Sequence, residues 1–198
     1  MDVFDAHGKR LYCTDEERKA FLAAAAQAPR EVRTFCLVLC YTGCRITEAL
    51  ELAPESIDLA ARVIVFRSLK KRKNPNSYRA VPVPPALLDT LNRVHNLAMR
   101  QKQPGKDYLQ TLWPFSRTTA WRKVQEVMDA AGIEDGPHKC PLGLRHGFAV
   151  HAVNSGVPLT MLSKWLGHSR IETTAIYAQA LSNAEQYGMA ARMWEGEV

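Results

Sequence analysis

The chain has 198 residues, 46% of them hydrophobic and 23% charged, enough to bury one good core, so it is read as one compact domain. No run of about 18 uncharged apolar residues is present to span a bilayer, and residues 1–10 lack the apolar stretch of a secretory signal, which excludes membrane partners and leads us to expect a cytoplasmic protein. The formal net charge of +6 is unevenly spread. An acid-free stretch between Asp58 and Asp89 holds Arg62, Arg67, Lys70, Lys71, Arg72, Lys73 and Arg79. A second, between Asp135 and Glu172, holds Lys139, Arg145, Lys164 and Arg170 with four of the six histidines, and without these two groups of cations the chain is at −5. Local basic surface of this kind suits the phosphate backbone of a nucleic acid.

Thr14 followed by Glu17 is a capping-box pattern that opens a helix through the alanine-rich segment to Ala28, and Pro29 separates it from the next. Val32, Phe35, Cys36 and Leu39 then recur at helical spacing until Thr42-Gly43, with Arg45 directly after the break. Cys36, Cys40 and Cys44 fall on one helix face. With no paired CxxC and no histidine nearby in sequence, they read as reduced, buried thiols rather than zinc ligands. A short helix with Ile46, Ala49 and Leu50 inward ends before Pro54.

The period changes between Ser56 and Val83, where Val63–Phe66 and Tyr78–Val83 read as strands around a basic hairpin tip. Helical spacing resumes after Pro85 with Leu88, Leu91, His95 and Ala98. Ser116 caps a helix carrying Trp121, Val124, Met128 and Ala131, closed by Gly132. Further helices are expected through Leu144, Phe148 and Ala152, from Pro158 to Leu166, and around Tyr177. The expected class is mainly α with a small three-stranded antiparallel β-sheet. Beyond Tyr177, Leu181, Tyr187, Ala190, Ala191, Met193 and Trp194 make an apolar stripe.

Along this scaffold stand Arg45 after a Gly turn, Lys70 at the hairpin, Arg145 in Gly-Leu-Arg-His, His168 in Trp-Leu-Gly-His, and Tyr177 nine residues later. Together these strings resemble the tyrosine recombinases of the phage-integrase family, over essentially the whole chain. Thr42–Glu48 is similar to the family's first-arginine box, Leu144–Ala149 to its second, and Leu166–Ser169 with Thr173–Tyr177 to the run that ends in the nucleophile. The resemblance implies the tyrosine recombinase catalytic-domain fold and site-specific DNA recombination or integration through a phosphotyrosyl link, with Tyr177 as nucleophile. A tyrosine phenolate leaves a stable but reversible ester, and two guanidiniums, Arg45 and Arg145, meet the charge that builds on the phosphoryl oxygens. Lys70 is the expected general acid for the leaving 5′ oxygen, with Lys71 and Lys73 as alternatives, and His168 the expected donor to a phosphate oxygen. Lys71, Arg72, Lys73 and Arg79 are the expected DNA contacts. No metal or cofactor is implied; the partners are double-stranded DNA and other copies of the chain, as a tetramer on paired sites.

Two departures stand out. The family usually has histidine or lysine three residues before the second arginine, acting in proton transfer at the tyrosine, and that position here is Leu142. Either His138 or Lys139 substitutes, the tyrosine attacks with slower water-assisted deprotonation, or the chain is a non-catalytic or regulatory DNA-binding member. His146, beside Arg145, is read as structural. Family members also usually carry an amino-terminal helical domain, and this sequence begins almost at the catalytic domain's first helix, so residues 1–198 are read as the catalytic domain alone.

Overall fold

The computed structural model describes residues 2–67, 77–102, 110–181 and 183–192; Lys70, Lys71, Arg72 and Lys73 lie outside them. Helix α1 (Asp15–Gln27) opens on the expected capping box: the Thr14 hydroxyl accepts from the Glu17 amide at 3.2 Å, and the Glu17 carboxylate accepts from the Thr14 amide at 2.8 Å. Helix α2 (Arg30–Thr42) buries Val32, Phe35, Cys36 and Leu39 against it and stops at Gly43, whose φ of 58° is left-handed. Arg45 is the N-cap of α3 (Ile46–Leu50).

A 3-10 turn (Pro54–Ser56) leads into the sheet of β1 (Ile57–Asp58), β2 (Val63–Arg67) and β3 (Tyr78–Pro82), antiparallel in the order β1-β2-β3. The register pairs Ile57 with Ile64 and Phe66 with Arg79. Strand alternation turns Ile64, Phe66, Arg79 and Val81 to the same buried face. Arg79, expected on the DNA-facing exterior, is therefore inside. Its guanidinium lies 5.0 Å over the Phe66 ring, is paired with Glu48 of α3 at 2.6 Å, and donates through Nε to the Trp165 carbonyl at 2.6 Å.

Helix α4 (Pro85–His95) does not run on to Ala98 as its apolar spacing suggests. Asn96 takes a left-handed φ of 52° and α5 (Leu97–Lys102) starts anew, its Ala98 amide donating to the Asn92 side chain at 2.8 Å. Ser116 caps α6 (Arg117–Ala130) as expected, accepting from the Thr119 amide at 3.1 Å. Val124 and Met128 of that helix are buried, whereas Trp121 is exposed.

Helix α7 (Pro141–Asn154) is buried almost all round and packs on α1, α2 and the segment after α9. It is followed by α8 (Leu159–Leu166), α9 (Glu172–Ala175), a 3-10 turn (Ile176–Ala180) and α10 (Asn183–Ala191). The main core lies between α1, α2, the sheet, α4 and α6. A second cluster gathers Phe148 and Val153 of α7, Leu162 and Leu166 of α8, and Tyr177, with Trp165 packed against both. Met193 and Trp194 of the carboxy-terminal stripe lie outside the described residues. Among the described residues no helix is long and apolar enough to cross a membrane.

Two glycines fix the approach of these elements. A Cβ at Gly43 would come within 2.4 Å of the Phe148 ring, and one at Gly143 within 1.8 Å of the His138 carbonyl oxygen. Gly43→Ala adds that clash to the strain of a left-handed backbone and is expected to destabilise the chain by about 2–4 kcal/mol. Gly132→Ala, also left-handed (φ 68°) but with nothing within 4 Å of the added atom, is expected to lose only about 1 kcal/mol, the comparison being made by urea denaturation.

Glu48 is the acidic strut between α3 and β3. Burial alone would raise its carboxyl, but the hydrogen bonds and charge of Arg79, with help from Arg45, outweigh it and hold the group below the usual carboxylate range. A lowered folded value means stabilisation that is complete above about pH 5 and lost as pH falls through that value. Glu48→Gln is expected to cost roughly 3 kcal/mol at pH 7, since it leaves buried Arg79 without its counter-ion. Denaturation of the two proteins across pH 3–7 should show the gap closing toward the acid end.

Candidate active site

Three turns that the fold brings together make the site: the end of α2, the end of α8, and the 3-10 turn after α9. Arg145 projects from the first half of α7 into their midst and is only 1% exposed. Its Nη1 donates to the Gly43 carbonyl at 2.7 Å and its Nη2 to the Leu166 carbonyl at 2.7 Å. Both acceptors stand at helix C-termini, where main-chain carbonyls lack intrahelical partners and the helix dipole is negative. Nη2 also lies 3.2 Å from Nε2 of His168, while Nε meets no acceptor among the described residues. Burial, then the charge of Arg45, push Arg145 down to about 10, which leaves it cationic at neutral pH.

Arg45 closes the site toward solvent. Its amide and Nη1 donate to the two oxygens of Glu48 at 2.8 and 2.9 Å, so the carboxylate that anchors Arg79 also orients Arg45. The side chain keeps 27% of its surface exposed.

His168 follows the left-handed cap Gly167. A guanidinium only donates, so Nε2 accepts from Arg145, and Nδ1 carries the proton and donates to the Thr174 hydroxyl at 2.8 Å. Burial, followed by the charges of Arg145 and Arg45, lowers His168 to about 4, so the ring is neutral at pH 7. It lies nearly parallel to the Tyr177 ring, centroids 6.5 Å apart and planes 16° apart.

Tyr177 is 0% exposed. Its hydroxyl lies 3.0 Å from Nδ1 of His146, a residue expected from the sequence to be structural. Burial raises the phenol above its ordinary value, against which the nearby charges of Arg145 and Arg45 pull downward. His146 is buried too, and that burial together with Arg145 lowers it to about 4. No signal in the sequence marks this contact, since His146 and Tyr177 lie 31 positions apart.

Arg45, Arg145, His168 and Tyr177 are thus brought together; Lys70 and the neighbouring Lys71, Arg72 and Lys73 lie outside the described residues. Arg79 sits behind the site as a support for Glu48. Leu142 is 47% exposed in the first turn of α7. Neither substitute considered for it faces Tyr177: His138 lies 3.3 Å from Glu17, and the Lys139 ammonium is held between Asp129 at 2.6 Å and Asp135 at 2.7 Å.

Arranged in this way, two guanidiniums beside a tyrosine hydroxyl suit an anion whose charge grows during attack by that hydroxyl. The sequence matches the model of the Phage integrase family over residues 12–184, a span that includes all four clustered residues. The tyrosine recombinase XerA of Thermococcus kodakarensis is 30% identical over 174 residues, covering 84% of this chain and 57% of the relative. The crystal structure of XerA recombinase has a TM-score of 0.71 at 26% identity, covering 92% of this chain and 64% of that one. XerH site-specific recombinase bound to its difH substrate shares the fold, with a TM-score of 0.70 at 21% identity over 96% of this chain and 59% of that one. The chain therefore spans less than two thirds of the length of each of these proteins. By a family match that covers most of its length, it belongs to the phage integrase family.

Proposed function

We propose that this chain is the catalytic domain of a site-specific DNA recombinase or integrase, cleaving and rejoining strands through a 3′-phosphotyrosyl link to Tyr177. The observation that carries the reading is the buried Arg145, with an Nε–H that meets no acceptor among the described residues, set beside a buried tyrosine hydroxyl. A buried polar group without a partner calls for a ligand to complete it, and a phosphoryl oxygen is the acceptor that a guanidinium fits best. Arg45 binds a second phosphoryl oxygen from the solvent side. His168 steadies Arg145 in the free site; to donate to a phosphate oxygen through Nε2 it must bind a second proton or change tautomer.

Lys70, which falls in sequence between β2 and β3, protonates the leaving 5′ oxygen, with Lys71 and Lys73 as the alternatives, and Lys71, Arg72 and Lys73 grip the backbone of double-stranded DNA. XerH was solved on its DNA substrate, which supports DNA as the partner here. A tetramer on paired sites is the proposed working form, and the cytoplasm its setting.

A nicked duplex that traps the covalent intermediate tests the reading: wild type should give a protein–DNA adduct, and Tyr177→Phe none, with binding retained. Wild-type protein that binds DNA yet gives no adduct would instead support the non-catalytic reading that Leu142 raises. Arg45→Ala and Arg145→Ala should each slow adduct formation by about 10²–10³ while changing the affinity of folded protein far less. Each neutralising replacement among Lys71, Arg72 and Lys73 should weaken binding and reduce the slope of log affinity against log salt by about 0.9. Affinity measured from 50 to 200 mM salt reads this directly.

A further inference from the structure

We propose that His146 is the base that receives the proton of Tyr177 during strand cleavage, in place of the group missing at Leu142; this rests on Tyr177 being the nucleophile. The geometry leaves the phenol little choice. Its hydroxyl is closed to solvent and points at Nδ1 of His146 at 3.0 Å. The imidazole of His168 lies face to face with the phenol ring, with one nitrogen on Thr174 and the other on Arg145. Arg145 and Arg45 can only donate, and His138 and Lys139 are tied up elsewhere. Among the described residues, His146 alone sets a ring nitrogen within hydrogen-bond distance of the hydroxyl, and in the tautomer protonated at Nε2 that nitrogen is a base.

The step balances without another reactant. As the Tyr177 oxygen bonds to phosphorus, its proton passes to Nδ1 of His146. The P–O5′ bond breaks and its electron pair goes to the 5′ oxygen, which takes a proton from Lys70. Rejoining runs each transfer backward, so the proton is kept on His146 while the phosphotyrosine exists. Buried beside Arg145, the imidazole is a weak base. Transfer must therefore accompany formation of the O–P bond, which acidifies the phenol, rather than precede it. Arg145 and Arg45 favour the same change by stabilising negative charge at that oxygen.

The alternative role for His146 is a latch that merely keeps Tyr177 buried, and His146→Asn separates the two, because an amide oxygen accepts the hydrogen bond but not the proton. Single-turnover adduct formation on saturating DNA should fall by about 10²–10³ in this variant, with affinity and melting temperature close to wild type. A 5′-bridging phosphorothiolate, whose sulfur leaves without a proton, should restore Lys70→Ala but leave His146→Asn slow. On that substrate the wild-type rate should be flat from pH 6 to 8, where His146 is already neutral, whereas the variant's should rise about tenfold per pH unit as hydroxide takes over. An adduct rate for His146→Asn equal to or above wild type, or rescue by the phosphorothiolate, overturns the proposal. If the variant does not fold, the wild-type profile decides alone: a tenfold rise per pH unit there refutes an internal base. Loss of the adduct's dependence on Tyr177 would refute the nucleophile itself, a separate result.

Discussion

A guanidinium buried in protein needs acceptors that water no longer supplies, and here the acceptors are the frayed ends of helices. Gly43 and Gly167 stop α2 and α8 in left-handed turns, leaving carbonyls that no further helical turn will satisfy. Arg145 takes one from each helix, and Arg79 takes the Trp165 carbonyl beside them. The dipoles of both helices point their negative ends at these cations, so the same contacts cap the helices and hold the charges. Displacing either turn would strand a buried cation.

The charge balance of this region is lopsided. Three guanidiniums gather here: Glu48 pairs with those of Arg45 and Arg79, while Arg145 is held by the neutral acceptors Gly43, Leu166 and His168. Arg45 and Arg145 disfavour each other's charge, as the lowered value of Arg145 records. Such a cluster stores unfavourable energy that an incoming anion relieves, in keeping with preorganised sites in which dipoles and cations are set before the reaction begins. Stability elsewhere, in the packed faces of α1, α2 and the sheet, carries that load.

Much of this was legible in the sequence. The capping box at Thr14, the Gly43 stop, the Ser116 cap and the order of helices and strands all follow from local chemistry, whereas Arg45, Arg145, His168 and Tyr177 were singled out by their resemblance to a family's motifs. Arg79 was misplaced because it was counted as a charge in a basic stretch. The alternation of Tyr78, Arg79, Ala80 and Val81 puts it on the same face as Val81, which is inside. The break at Asn96 was hidden by an apolar spacing that two short helices satisfy as well as one long helix. His146 could not be read at all: its partner is 31 positions away in sequence, and nothing in the local pattern of α7 says which residue the ring will face.

The enclosure of Tyr177 also bears on where a covalent intermediate goes next. An aryl phosphate ester that water can reach is hydrolysed, and its enzyme is a nuclease that leaves a permanent break. Under the proposed chemistry the ester forms at a side chain with no exposed surface, walled by the rings of His146 and His168 and by the apolar residues of α7 and α8. The acceptor best able to reach the phosphorus is then the 5′-hydroxyl of a DNA strand held at the site. On that proposal, burial of the tyrosine is what separates exchange of strands from their destruction.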